Sequence, residues 1–172
     1  MPLFFTLDIT MKTIVAILSM LFSLLGHAEV TSQALVEKIS ERWRLSPDAI
    51  GRIVRLAESH AKPDFPKPIN LLAIIAIESS FNPKAHNSGN IGLMQINLTA
   101  NGKRLKNKSQ EENIRVGAEL LSEYHSRLRG NQRATILSYN SGISAYRRGR
   151  YRSAYWAAYQ RELAWMKVNI GG

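Results

Sequence analysis

The sequence contains no cysteine, and this absence excludes disulfide bonds, thiolate zinc sites and cysteine nucleophiles together. It does not argue against export, because a chain of 172 residues is long enough to bury a core without covalent cross-links. The histidines and acidic residues show no metal-ligand spacing. We therefore expect neither a metal nor a cofactor.

Negative charge is scarce: 13 acidic residues stand against 23 lysines and arginines, for a formal net charge of +10. This balance favours anionic partners such as nucleic acid, an acidic membrane or a polyanionic wall. Arginines and aromatic residues alternate over residues 146–161, a pattern that could grip single-stranded nucleic acid. The preferred interpretation of this segment is a packed terminal helix with a solvated cationic face, so no nucleic acid is expected.

Long hydrophobic runs are confined to the N-terminal region. Lys12 precedes an apolar run over residues 14–26, which ends near small residues of the kind that signal peptidase recognises. The run is short for a membrane span. We therefore predict that residues 1–28 form a signal peptide, with Met11 as an alternative start. A membrane anchor and a buried N-terminal helix stay open as alternatives.

The remainder of the chain predicts helices. Apolar residues recur at helical spacing in an N-terminal pair over 29–62, and a loop with three prolines follows over 62–68. Asn70 is expected to cap the next segment, 71–77, which is apolar almost all round and predicts a buried helix in preference to a buried strand. The predicted fold is one compact all-α domain, or at most a mainly helical α+β domain, over 29–172.

Glu78 directly follows this apolar run. A carboxylate at the rim of a core is partly desolvated, which raises its pKa and suits it to act as a general acid. A single Glu in such a position is, however, more often a solvated residue at a helix end. Its interpretation therefore depends on the sequence downstream.

Three ordered blocks accompany Glu78. Residues 78–85 read E-S-S-F-N-P-K-A, residues 92–97 read G-L-M-Q-I-N, and residues 139–142 read Y-N-S-G. Together they resemble the soluble lytic transglycosylase (SLT-domain) family, which has a goose-type lysozyme-like fold. The resemblance covers roughly Ile69 to Tyr155 and implies a single lysozyme-like domain that cuts peptidoglycan.

The resemblance implies a role for each matching position. Glu78 corresponds to the catalytic acid/base, and Tyr139 and Asn140 correspond to the pair that faces it, with the Tyr139 hydroxyl expected to orient the carboxyl. The alternative for Tyr139 is a buried ring with a satisfied hydroxyl.

Three further positions match residues that shape the substrate site. Met94 and Gln95 correspond to residues that line the sugar groove, although Met94 could equally be core filler. Ser79 corresponds to a position that helps to fix the turn after Glu78. The loop between Phe81 and Gly92 is one residue shorter than is common in the family, so no role is carried onto its residues.

The blocks contain only one carboxylate, whereas ordinary glycosidases use two. The family implies another route, in which the muramic acid's own N-acetyl and 6-hydroxyl groups replace the second carboxylate and leave 1,6-anhydro ends. A hydrolytic lysozyme-type muramidase and a non-catalytic wall-binding accessory factor remain alternatives.

The form of the G-L-M-Q-I-N block resembles small family members associated with secretion or conjugation machines or with phage. The resemblance thus implies peptidoglycan strands as the substrate and such an apparatus as a partner. It also suggests aromatic platforms for sugar rings and arginines facing stem-peptide carboxylates within 146–161. We expect an exported, periplasmic or wall-associated monomer.

Overall fold

A computed structural model of the protein describes residues 13–14 and 33–170. The predicted signal peptide therefore lies, apart from residues 13–14, outside the described residues. Among the residues that are described, no helix combines the length and apolar character that crossing a bilayer would require.

Helices make up most of the described chain, which confirms the prediction of a mainly helical fold. They are α1 (33–43), α2 (Pro47–His60), α3 (Pro68–Ser79), α4 (Leu98–Asn101), α5 (Gln110–Arg127), α6 (Gln132–Ser141), α7 (Ile143–Arg147) and α8 (Ser153–Ile170). A short 3₁₀ turn over Gly102–Arg104 follows α4. Three two-residue strands form an antiparallel sheet in the order β1 (His86–Asn87), β2 (Asn90–Ile91), β3 (Ile96–Asn97).

Helix α3 lies at the centre of the domain, between α2 and α8. Its residues from 70 to 76 are all buried, as the continuous apolar run predicts for a helix surrounded by others. The prediction that Asn70 is the N-cap is wrong. The helix begins at Pro68, whose fixed φ suits the first turn, and Asn70 Oδ1 accepts a hydrogen bond from the Lys67 amide at 2.8 Å from within that turn.

Helix α1 joins the domain through α8. The Arg42 guanidinium lies 4.3 Å from the ring centroid of Trp43 and 4.4 Å from that of Trp165. It also pairs with Glu162 on α8, with 2.9 Å between the closest nitrogen and oxygen. A cation that contacts two indole rings and a carboxylate holds the two helices together.

Tyr159 connects three helices from a fully buried position on α8. Its hydroxyl oxygen accepts hydrogen bonds from Asn70 Nδ2 on α3 at 2.7 Å and from Gln132 Nε2 on α6 at 2.9 Å. Removal of this oxygen would leave the buried amide of Asn70 and the half-buried amide of Gln132 without this partner.

We predict that Tyr159→Phe lowers the free energy of unfolding by about 1–3 kcal/mol, because buried donors that lose their acceptor keep their desolvation cost. Urea unfolding measures this change. Tyr124→Phe is the matched control, since Tyr124 is half-buried and its hydroxyl makes no hydrogen bond to a described residue. Equal losses of unfolding free energy in Tyr159→Phe and Tyr124→Phe would contradict the role given to the Tyr159 hydroxyl.

Candidate active site

Glu78 lies in the last turn of α3, directly before a tight reversal of the chain. Ser80 and Phe81 both have positive φ angles, of 50° and 62°, and the Asn82 amide donates to the Ser79 carbonyl at 3.0 Å. The ring of Phe81 is buried and meets Trp43 of α1 edge-on, with 4.9 Å between centroids. This anchored turn fixes the end of α3.

Burial raises the pKa of the Glu78 carboxyl above its ordinary value. A hydrogen bond from the Tyr155 hydroxyl to Glu78 Oε1, at 2.5 Å, acts in the opposite direction and lowers that pKa. Burial is the larger influence, so the pKa stays raised. Burial and the charge of Glu78 also raise the pKa of Tyr155 well above its usual range, which keeps its hydroxyl a proton donor.

The prediction that the Tyr139 hydroxyl orients the Glu78 carboxyl is wrong. Tyr139 donates its hydroxyl proton to the Met94 carbonyl oxygen at 2.8 Å, while Tyr155 makes the contact with Glu78. Burial raises the pKa of Tyr139 well above its usual range, and the charge of the nearby Glu78 adds to that rise. Tyr155 was predicted only as one of the aromatic residues of 146–161, in a packed terminal helix or a platform for sugar rings, and not as the partner of Glu78.

Met94 was predicted to line the sugar groove, but it does not. Its side chain is fully buried and packs against Gly117 of α5, where an added Cβ would lie 2.3 Å from the Met94 sulfur. The alternative of core filler is therefore the correct one. Its backbone carbonyl nevertheless supports the site, because it accepts the hydrogen bond from Tyr139.

Gln95 lines the cleft that contains Glu78, and its contact with a sugar stays a prediction. Its φ angle is 47°, and its side-chain Nε2 donates to the carbonyl oxygens of Ala85 at 3.1 Å and Gly92 at 2.9 Å. The side chain thus connects the two ends of the segment that contains β1 and β2.

The short segment after Phe81 is a tight β-hairpin. Asn87 pairs with Asn90, and the two residues between them, Ser88 and Gly89, have φ angles of 49° and 82°. Two successive positive φ angles are typical of a type I′ hairpin turn, which needs only two connecting residues. This turn accounts for the brevity of the loop.

Asn113 on α5 fixes the backbone of this segment and was not predicted. Its Oδ1 accepts from the Met94 amide at 2.8 Å, and its Nδ2 donates to the Ile91 carbonyl at 2.8 Å. A Cβ on Gly92 would lie only 2.5 Å from Asn113 Nδ2, so glycine is required there. One buried amide therefore positions the turn between β2 and β3, which contains Gln95.

Ser79 and Asn140 both line the cleft that contains Glu78. The Ser79 hydroxyl donates back to the Ile75 carbonyl at 3.0 Å, so Ser79 supports the turn through its backbone carbonyl and not through its side chain. Asn140 is exposed near the end of α6, where its amide is available to a ligand.

These side chains surround an open cleft of about 1170 Å³, large enough for several sugar rings. Glu78 is the only Asp or Glu among the described residues that line it. The described residues also contain no group of three His, Asp or Glu side chains that could hold a metal ion. The lining residues are Ile77, Glu78, Ser79, Ser80, Asn82, Lys84, Ala85, His86, Asn87, Asn90, Gln95, Asn140, Ser141, Arg150, Tyr151, Arg152 and Tyr155.

A sequence model of the transglycosylase SLT domain matches residues 55–161, which is well over half of the chain. The matched region contains Glu78 and every residue that lines its cleft. No curated protein and no solved structure matches the chain.

We predict that Tyr155→Phe raises the pKa of the Glu78 carboxyl further, because the variant removes the hydrogen bond that lowers it while burial persists. A carbon-13 NMR titration of the carboxyl groups measures this pKa, and the missing signal in Glu78→Gln assigns it. Tyr139→Phe is the control and should leave the pKa close to the wild-type value, since that hydroxyl bonds to Met94. An unchanged pKa of the Glu78 carboxyl in Tyr155→Phe would contradict the assignment of Tyr155 as its hydrogen-bond donor.

Proposed function

Because the chain belongs to the transglycosylase SLT domain family, which acts on peptidoglycan, we propose a specific reaction for it. The enzyme cleaves the β-1,4 bond between N-acetylmuramic acid and N-acetylglucosamine and leaves 1,6-anhydromuramic ends. The observation that carries this proposal is Glu78, a half-buried carboxyl whose pKa is raised by desolvation and which is the only carboxylate among the described residues of the cleft.

Glu78 acts first as the general acid. Its raised pKa makes a larger fraction of the carboxyl protonated than in an ordinary Glu, and the protonated form donates its proton to the glycosidic oxygen as the bond to C1 of the muramic acid breaks. The carbonyl oxygen of the muramic acid's own N-acetyl group attacks C1 and forms an oxazolinium ring. The leaving sugar departs with the proton from Glu78.

Glu78 then acts as the general base. Its carboxylate accepts the proton of the muramic acid's 6-hydroxyl, whose oxygen attacks C1 and opens the oxazolinium ring. The Tyr155 hydroxyl, which donates to Glu78 Oε1, stabilises the carboxylate between the two steps. The cycle returns the proton to Glu78, and no water is consumed.

The cleft supports this substrate-assisted route over a two-carboxylate mechanism. Retaining glycosidases hold two carboxyl groups about 5–5.5 Å apart and inverting enzymes about 6.5–9.5 Å apart. No second Asp or Glu lines the cleft among the described residues, so no side chain of the described lining offers a carboxylate nucleophile, and the N-acetyl group of the substrate can take that role.

Two alternatives differ from this proposal in their chemistry. A hydrolytic muramidase would use the same acid but a water molecule in place of the 6-hydroxyl, and it would leave reducing ends. A wall-binding accessory factor would need no acid of raised pKa, because a buried carboxyl costs stability and adds little to sugar binding. The environment of Glu78 therefore favours an enzyme.

The proposed substrate places the protein outside the cytoplasm, in the periplasm or at the cell wall. Residues 1–28 would then serve as the export signal. Association with a secretion, conjugation or phage apparatus and a monomeric state stay predictions from the sequence. The reaction as written requires no cofactor and no nucleic acid.

We predict that digestion of purified peptidoglycan by the protein yields fragments with 1,6-anhydromuramic ends. These fragments are lighter than the hydrolytic products by one water, so mass spectrometry identifies them directly. Reducing ends in the products would replace the proposal by the hydrolytic alternative. A parallel digestion without protein controls for anhydro ends already in the wall.

We predict that Glu78→Gln lowers the cleavage rate by about 10²- to 10⁴-fold, the range typical of general acid–base catalysis. The same variant should be more stable than wild type at neutral pH. The folded-state pKa of Glu78 is raised above its unfolded value, so wild type loses stability as pH rises through the folded pKa. Gln does not titrate and avoids that loss.

Thermal unfolding of both proteins as a function of pH tests the stability gain and shows that the inactive variant is folded. The gain of Glu78→Gln should shrink toward low pH, where Glu78 is protonated in the folded and unfolded states. Retained cleavage by Glu78→Gln, or a stability difference that does not vary with pH, would contradict the role given to Glu78.

A further inference from the structure

Three cationic side chains line the cleft that contains Glu78. Lys84 lies before β1, and Arg150 and Arg152 lie in the connection between α7 and α8. All three are exposed, and none forms a salt bridge with a described residue. The described lining therefore offers three unpaired positive charges against one buried carboxyl.

Local contacts fix the backbone of the segment that contains Arg150 and Arg152. The Arg150 amide donates to the Ala145 carbonyl at 2.9 Å, and the ring of Tyr151 lies 5.2 Å from that of Tyr146, centroid to centroid. Arg150 and Arg152 flank Tyr151, so these contacts hold the backbone from which both arginine side chains extend at the cleft.

The sugar backbone of peptidoglycan gives these cations no charged partner. Where the lactyl group of muramic acid is joined to a stem peptide, its carboxyl is an amide, and the glycan strand is neutral. The negative charges of the polymer then lie on the carboxylates of the stem peptides. Guanidinium groups bind carboxylates through two parallel hydrogen bonds, a geometry that neutral sugar hydroxyls do not match.

We propose that Lys84, Arg150 and Arg152 bind the carboxylates of stem peptides and make the cleft selective for strands that carry them. This inference rests on the proposed function, because it assigns a part of the same substrate to the rim of the same cleft. Glu78 acts on the glycosidic bond, and the cations recognise the peptide beside it.

The expected size of the effect follows from the exposure of these side chains. Exposed ion pairs are worth about 0.2–1 kcal/mol, so each cation should change affinity by up to about 5-fold. The preference should weaken as salt is added, because the charges are screened over about 8 Å at physiological ionic strength.

The test compares two soluble peptidoglycan strands of equal length. Both have their amino groups acetylated; in one the stem-peptide carboxylates are free, and in the other they are converted to amides. Binding is measured by calorimetry at about 0.15 M salt with Glu78→Gln protein, which leaves the strands intact. The comparison therefore varies only the charge of the stem peptides.

Glu78→Gln protein should bind the strand with free carboxylates several-fold more tightly, and adding Arg150→Gln and Arg152→Gln should remove most of that preference. Adding Arg147→Gln and Arg148→Gln instead is the matched control. Those two arginines are exposed neighbours that do not line the cleft, and their loss changes the net charge equally. The control should retain the preference.

Equal affinity for the two strands, or an equal loss of preference in the control, would overturn the inference. Strands freed of stem peptides carry lactyl carboxylates, and tight binding of these that depends on Arg150 and Arg152 would overturn it as well. Cleavage is followed separately with wild-type protein. If no anhydro ends form, the proposed function fails while the binding comparison still decides the inference.

Discussion

The site depends on the packing of α8 against α3, because this contact both buries Glu78 and supplies its hydrogen-bond donor. Tyr155 and Tyr159 lie one turn apart on the same face of α8. The first reaches Glu78 at the end of α3, and the second reaches Asn70 at its beginning. The two helices are therefore antiparallel and are joined by polar contacts at both ends. A shift of one along the other would separate Tyr155 from the carboxyl.

The support of the turn that follows Glu78 extends beyond the region that matches the family. Helix α1 precedes residue 55, where the match begins, yet its Trp43 contacts Phe81 three residues after Glu78. Arg42, the neighbour of Trp43, pairs with Glu162 of α8. The segment before the matched region is thus part of the same core. Trp43 of α1 packs against the turn after Glu78, while Tyr155 of α8 contacts the Glu78 carboxyl.

Patterns in the sequence predicted the parts of the site that depend on residues close together along the chain. The apolar run placed Glu78 at the end of a buried helix, and this follows from the fact that a helix without a polar face must be covered on all sides. The sequence did not predict correctly which tyrosine hydroxyl bonds to Glu78. Tyr139 and Tyr155 both approach Glu78, and which hydroxyl bonds to it depends on contacts between segments 61 and 77 residues away along the chain. Asn113 was missed for the same reason, since its partners lie on another element.

In the proposed mechanism, proton transfer takes place at the half-buried Glu78 and charge recognition at the exposed cations of the cleft. The influences that set the pKa of Glu78 are its burial and its hydrogen bond from Tyr155. Lys84, Arg150 and Arg152 are not among them. Exposed cations are surrounded by water, which weakens their field at a buried carboxyl. If Arg150 or Arg152 lay against Glu78, the positive charge would stabilise the carboxylate and lower its pKa, and the first proton transfer would become harder. A site with one carboxyl that must act as both acid and base can carry cationic side chains only where solvent screens them, and the exposure of these arginines meets that condition.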